Sequence, residues 1–129
     1  MGADAVLLIC AILSEDEIRR SLALCDELGL SALVEAHDAA ELQMAVRAGA
    51  RIIGVNNRNL KDFSVDTNNS RRLRALAPEG VLFVSESGIQ SADEVRALRE
   101  SGVDAVLIGE SLMRAADKKT MLGQLRGAK

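Results

Sequence analysis

The 129-residue chain has no tryptophan, no tyrosine and only two phenylalanines, Phe63 and Phe83. An aromatic-centred core is therefore excluded, and the interior must be built from Leu, Val, Ile and Ala, which suits stacked layers of strands and helices. A single histidine, His37, leaves a Ser–His nucleophile poorly supported; by its position it is a polar residue at the start of a helix. Two cysteines, Cys10 and Cys25, are too few for a disulfide framework and point to a reduced, cytoplasmic setting. With His37 they have no zinc-ligand spacing, and Cys25 falls on the apolar face of its helix. No apolar run approaches the roughly 18–20 residues that span a bilayer. The N-terminus lacks a basic stretch followed by an apolar core and a cleavage site, which argues against a signal peptide. Charge of one sign is also missing: the net charge is −3 with both signs scattered, so no basic face is offered to nucleic acid or to an anionic membrane.

What is present is a repeat. Five apolar runs, Ala5–Ile9, Ala32–Glu35, Ile52–Asn56, Val81–Ser85 and Ala105–Ile108, each follow a glycine and end in a polar cluster. Between them lie amphipathic stretches with helix signals. Ser14 and Glu17, and Ser91 and Glu94, form S-x-x-E capping boxes. Asp38 caps a helix that Gly49 closes, and Asp66 starts one that runs through Ala77 to Pro78. A loop with Leu60 and Phe63 follows the third strand, a helical turn spans Ser111–Arg114, and a last helix runs from Lys118 to Leu125. The pattern predicts one α/β domain over residues 1–129 with five parallel strands, their Val/Ile/Leu runs covered on both faces. Two architectures fit: an open doubly wound sheet, or part of a (β/α)8 barrel.

Parallel sheets gather their chemistry at the carboxyl ends of the strands. Here those ends hold Glu35, then Asn56, Asn57 and Arg58, then Glu86, Ser87 and Gly88, then Gly109, Glu110 and Ser111. Glycines after two consecutive strands, with a helical turn following, suit an anion held by backbone N–H groups; each glycine alone only shapes a turn. Glu35 ends an apolar strand, where desolvation suits a carboxyl to acid–base work, or it caps a helix or pairs with Arg58. Asn56 and Arg58 are suited to holding a substrate, whereas Asn57 is better read as an Asx turn. Ser87 binds a hydroxyl or phosphate, or caps a helix.

The segments LVEAHD (33–38), IGVNNRNL (53–60), VSESGI (84–89) and LIGESLM (107–113) closely resemble indole-3-glycerol phosphate synthase, over nearly the whole chain. The resemblance implies a (β/α)8 barrel of tryptophan biosynthesis, a carboxy-lyase that converts 1-(2-carboxyphenylamino)-1-deoxyribulose 5-phosphate into indole-3-glycerol phosphate with loss of carbon dioxide and water. It implies no cofactor and no metal. By position Glu35 resembles the general base, Asn56 an orienting amide, and Arg58 a contact to the anthranilate end. Glu86 and Ser87 resemble polar substrate contacts; Gly88, Gly109, Glu110 and Ser111 fall where the phosphate is held, Glu110 through its amide alone. The chain starts at what resembles the family's fourth strand. The lysines that the family carries on its first and third strands have no counterpart, since Lys61, Lys118, Lys119 and Lys129 lie in loops or near the C-terminus. The isolated chain is therefore expected to be inactive or nearly so, needing an N-terminal half-barrel. The alternative is a non-catalytic half-barrel scaffold that keeps a phosphate or sulfate site. An arc of five strands leaves a bare concave face, so either the chain associates, as a homodimer for instance, or the sheet flattens into a flavodoxin-like order 2-1-3-4-5. The flattened sheet is the expectation.

Overall fold

In the computed structural model, which describes residues 2–59 and 61–127, the caps set where the helices begin. Ser14 accepts from the Glu17 amide while the Glu17 carboxylate returns to the Ser14 N–H, and Ser91 and Glu94 repeat the arrangement. The order is β1 (Ala5–Ile9), α1 (Glu15–Leu28), β2 (Ser31–Ala36), α2 (Ala39–Ala48), β3 (Ile52–Asn56), α3 (Asn68–Arg74), β4 (Leu82–Glu86), α4 (Ala92–Glu100), β5 (Ala105–Leu107), α5 (Glu110–Arg114) and α6 (Lys118–Leu125). Gly29 and Gly49 close α1 and α2 in the left-handed conformation that ends a helix without a Cβ clash. Met1, Leu60 and Lys129 lie outside the described residues.

The third helix is shorter than its sequence suggests. The Asp66 side chain accepts from the Asn68 amide in an Asx turn instead of capping a helix. At the other end Leu76 and Ala77 bond back three residues to Leu73 and Arg74, so the chain tightens into turns before Pro78.

All five strands are parallel and lie in the order β1-β2-β3-β4-β5. This overturns the flattened order 2-1-3-4-5. Strand β1 pairs along its full length with β2, from Ala5 opposite Ser31 to Ile9 opposite Glu35, and α1 packs beside α2. The alternation of side chains explains why. One face carries Val34, Ala36, Ile53, Val55 and Phe83, buried under Ile18 of α1, Leu42 and Ala45 of α2, Leu73 of α3 and Leu98 of α4. The other face carries Glu35, Asn56 and Glu86, with Asn56 in register with Glu86 and Glu35 in register with Gly54 two residues below. Apolar helices laid over that face would meet two carboxyls and an amide instead of apolar side chains. The helices therefore stay on one side, and the expected double covering of the strands is replaced by an arc. Its concave face is open among the described residues, with Leu7, Leu82 and Leu107 each about half exposed.

Candidate active site

The sequence places three polar residues on the concave face near the carboxyl ends of β2, β3 and β4. Asn56 stands opposite Glu86 in the β3–β4 ladder, and the Asn56 Nδ2 donates to Glu35 Oε1 at 3.2 Å. All three are buried, Glu86 to 3% exposure. Arg58 does not pair with Glu35; its guanidinium donates to Glu110 Oε2 at 2.7 Å, across from the end of β3 to the start of α5. Arg114 holds the other oxygen of Glu110 at 3.1 Å. The carboxylate that would repel an anion is thus tied to two cations.

Beside this cluster an open groove of about 1180 Å³ is lined by Arg58, Glu86, Ser87, Gly88, Gly109, Glu110 and Ser111, with Phe63 and Arg114 on its walls. Glu35 and Asn56 stand on the β2–β3 side, outside the lining, and reach the groove through Glu86. Ser87 and Gly88 are both left-handed, at φ 68° and 77°. A Cβ on Gly88 would fall 2.4 Å from Val65 Cγ1, so both backbone and packing require glycine there. The amides of Gly88 and Gly109 have no protein acceptor among the described residues. The Ser111 hydroxyl, in contrast, is spent on the Ile89 carbonyl at 2.8 Å, and that contact fastens α5 to the loop after β4.

A carboxyl pushed up by burial does occur at this rim, at Glu86, which rises to about 8; burial is the larger cause, and the negative charge and hydrogen bond of Glu35 add to it. Cys10 is not a nucleophile: burial first, then Glu41, Glu35 and Asp38, push its thiol up to about 12. Cys25 is buried, and both cysteines are free.

Asn57 forms no Asx turn; that role falls to Asn56, whose Oδ1 accepts from the Arg58 amide. Asn57 is fully buried and knits the layers together, donating to Ser85 Oγ and the Ser87 carbonyl and accepting from Ser70 N and Oγ. Sequence reasoning missed two supports. His37 Nδ1 lies 3.0 Å from the Asn56 carbonyl, a contact that needs the proton on Nδ1, and Asn69 donates to the His37 carbonyl at 2.8 Å. Their signal, an isolated His after a strand and an Asn in a helix, is weak on its own.

A sequence profile of indole-3-glycerol phosphate synthase matches residues 1–125. The chain belongs to the indole-3-glycerol phosphate synthase family. Among curated members, that of Ruminiclostridium cellulolyticum is 56% identical over 128 residues, which are 99% of this chain and 49% of the relative. That of Leuconostoc mesenteroides subsp. mesenteroides is 54% identical over the same shares. The chain thus spans about half the length of the indole-3-glycerol phosphate synthases it matches. Among solved structures, 3-hexulose-6-phosphate synthase from Salmonella typhimurium superposes with a TM-score of 0.81 at 18% identity, over 98% of this chain and 62% of that one. Thiamine phosphate pyrophosphorylase from Pyrococcus furiosus gives 0.75 at 21%, over 98% and 59%. These two speak for the fold alone.

Proposed function

We propose that this chain carries the base, the substrate-orienting groups and the phosphate cradle of an indole-3-glycerol phosphate synthase site. The reaction it serves is ring closure of 1-(2-carboxyphenylamino)-1-deoxyribulose 5-phosphate with loss of carbon dioxide and water. The observation that carries this reading is the convergence of Glu35, Asn56 and Glu86 on one face of three adjacent strands, next to the Gly88–Gly109 groove, in a chain of this family. Glu35 takes the proton that the closing ring releases. Asn56 fixes the Glu35 carboxylate and meets the substrate, with Glu86, Ser87 and Arg58 as further contacts. The phosphate takes the amides of Gly88, Gly109, Glu110 and Ser111, with the Glu110 carboxylate held off it by Arg58 and Arg114. The pocket needs no cofactor for this chemistry.

The acid that assists closure and dehydration is not supplied by these residues: Lys61, Lys118 and Lys119 are exposed and are not among the residues that line the groove. Loss of one positioned acid lowers a rate about 100- to 10,000-fold, so the 129 residues alone are inactive or nearly so. Their partner in catalysis is a matching N-terminal half-barrel, seated on the open concave face in the cytoplasm. A synthase assay of the chain alone at high concentration tests the first part: turnover that scales with protein and vanishes in Glu35→Ala contradicts it. Phosphate titration tests the cradle, with amide shifts expected at Gly88 and Gly109; their absence removes the cradle from the account. The open face with its bare leucines favours a second reading, a non-catalytic scaffold that closes by pairing with another copy, which a solution mass of a dimer together with no complementation by an N-terminal half would support.

A further inference from the structure

Gly54 is the one place on the concave face of β3 where a side chain is missing. It stands opposite Glu35 on one side and Val84 on the other. Its backbone lies outside the left-handed region, so no turn asks for glycine. The neighbour that does is a carboxyl: a Cβ here would lie 1.8 Å from Glu86 Oε1, 2.9 Å from Glu86 Cδ and 3.1 Å from Leu33 Cδ1. The notch holds a side chain that is almost fully buried and whose Oε1 has no donor among the described residues.

The groups facing that carboxyl leave little choice of donor. From β2 comes the Glu35 carboxyl; from β3 comes Asn56, whose amide is given to Glu35 Oε1; β5 presents apolar Leu107 in register with Glu86. Arg58 is engaged by Glu110. Glu35 is the charged group that acts on Glu86, and it acts to raise it. Two carboxylates set together in a water-poor site cannot both ionise readily. One proton between them removes the repulsion and supplies the hydrogen bond that Oε1 lacks.

We propose that Gly54 is a positioning residue, its missing side chain seating the Glu86 carboxyl against Glu35 so that the two carboxyls hold a single proton between them. A pair in this state offers a substrate one accepting and one donating oxygen at the same spot. When Glu35 takes a proton the pair holds two, and it returns to one on release. The proposal deepens the synthase reading, from which it borrows only the role of Glu35.

The test is a carboxyl carbon-13 titration of the full chain without substrate, so that it stands apart from any activity. Glu86 is expected to titrate near 8, and its acid constant to rise tenfold or more in Glu35→Gln, which removes the charge, and in Gly54→Ala, which drives the carboxyl out to the open face. A Glu86 midpoint in the ordinary glutamate range, or one unmoved in either folded variant, overturns the proposal. Should Gly54→Ala fail to fold, the double variant Gly54→Ala/Glu86→Ala decides: recovery of the fold supports the collision with Glu86, and persistent unfolding overturns it. A pair that titrates as expected in a chain that no N-terminal half can activate leaves the proposal standing and removes the synthase reading.

Discussion

Asn56 and Asn57 are chemically identical neighbours with opposite duties, and the difference is one of strand parity. Asn56 points to the concave face and meets Glu35; Asn57 points into the layers and bridges Ser70, Ser85 and Ser87. Truncating Asn57 to Ala strands several buried polar groups, each unsatisfied one costing about 1–3 kcal/mol. A loss of about 2–4 kcal/mol in urea unfolding is expected, and a change within about 0.5 kcal/mol speaks against the network. Glu86 gives a prediction in pH. Its folded carboxyl is raised to about 8 from an ordinary 4.5, so between those values the folded state binds the extra proton. Stability is then highest below the lower value and falls as pH rises toward 8, by up to about 1.4 kcal/mol per unit. Glu86→Gln should flatten that fall, measured as urea midpoints at pH 5 and pH 8; an unchanged slope contradicts the assignment. At this scale the sequence was legible for position, as for Glu35, which stands near the end of β2 beside Asn56. It was silent where a side chain's use depends on what stands opposite, as for Asn57, for Gly54 and for the Ser111 hydroxyl that Ile89 consumes.

Elements were the most legible part, because the starts of α1, α2, α4 and α6 carry side-chain caps written in adjacent residues. Ser14 and Ser91 make both halves of their capping boxes. Asp66 carries the same signal and uses it for an Asx turn, directly after a loop whose ends, Arg58 and Val65, form an antiparallel bridge; local propensity yields there to the loop. The two kinds of start can be told apart by experiment. Ser91→Ala should destabilise by about 1 kcal/mol, whereas Thr67→Ala, at an N-cap with no side-chain bond, should stay within about 0.5 kcal/mol. Equal losses in urea unfolding contradict the assigned caps. Gly88→Ala forces a Cβ into the left-handed region and against Val65, and about 1–2 kcal/mol is expected to be lost, together with a shift of the Ile89 amide that registers the opening of the loop.

The whole molecule was the least legible, because strand order is a property of pairs that a single run does not encode. The runs read as strands buried on both faces, and the flattened sheet answered the cost of a bare concave side. The polar rim decides the matter instead: Glu35, Asn56 and Glu86 on the face away from the helices keep that face from being roofed by α1, and the arc persists with β1 and β5 as free edges. The arc leaves Leu7, Leu82 and Leu107 half exposed, and the proposal seats on them the complement that relatives twice as long suggest. The measurement that bears most directly on this account is synthase turnover on mixing the chain with an N-terminal half-barrel taken from the Ruminiclostridium cellulolyticum relative. Turnover absent from either piece, present in the mixture and abolished by Glu35→Ala is the predicted result. A mixture that forms a stable complex and yet converts no substrate would contradict it.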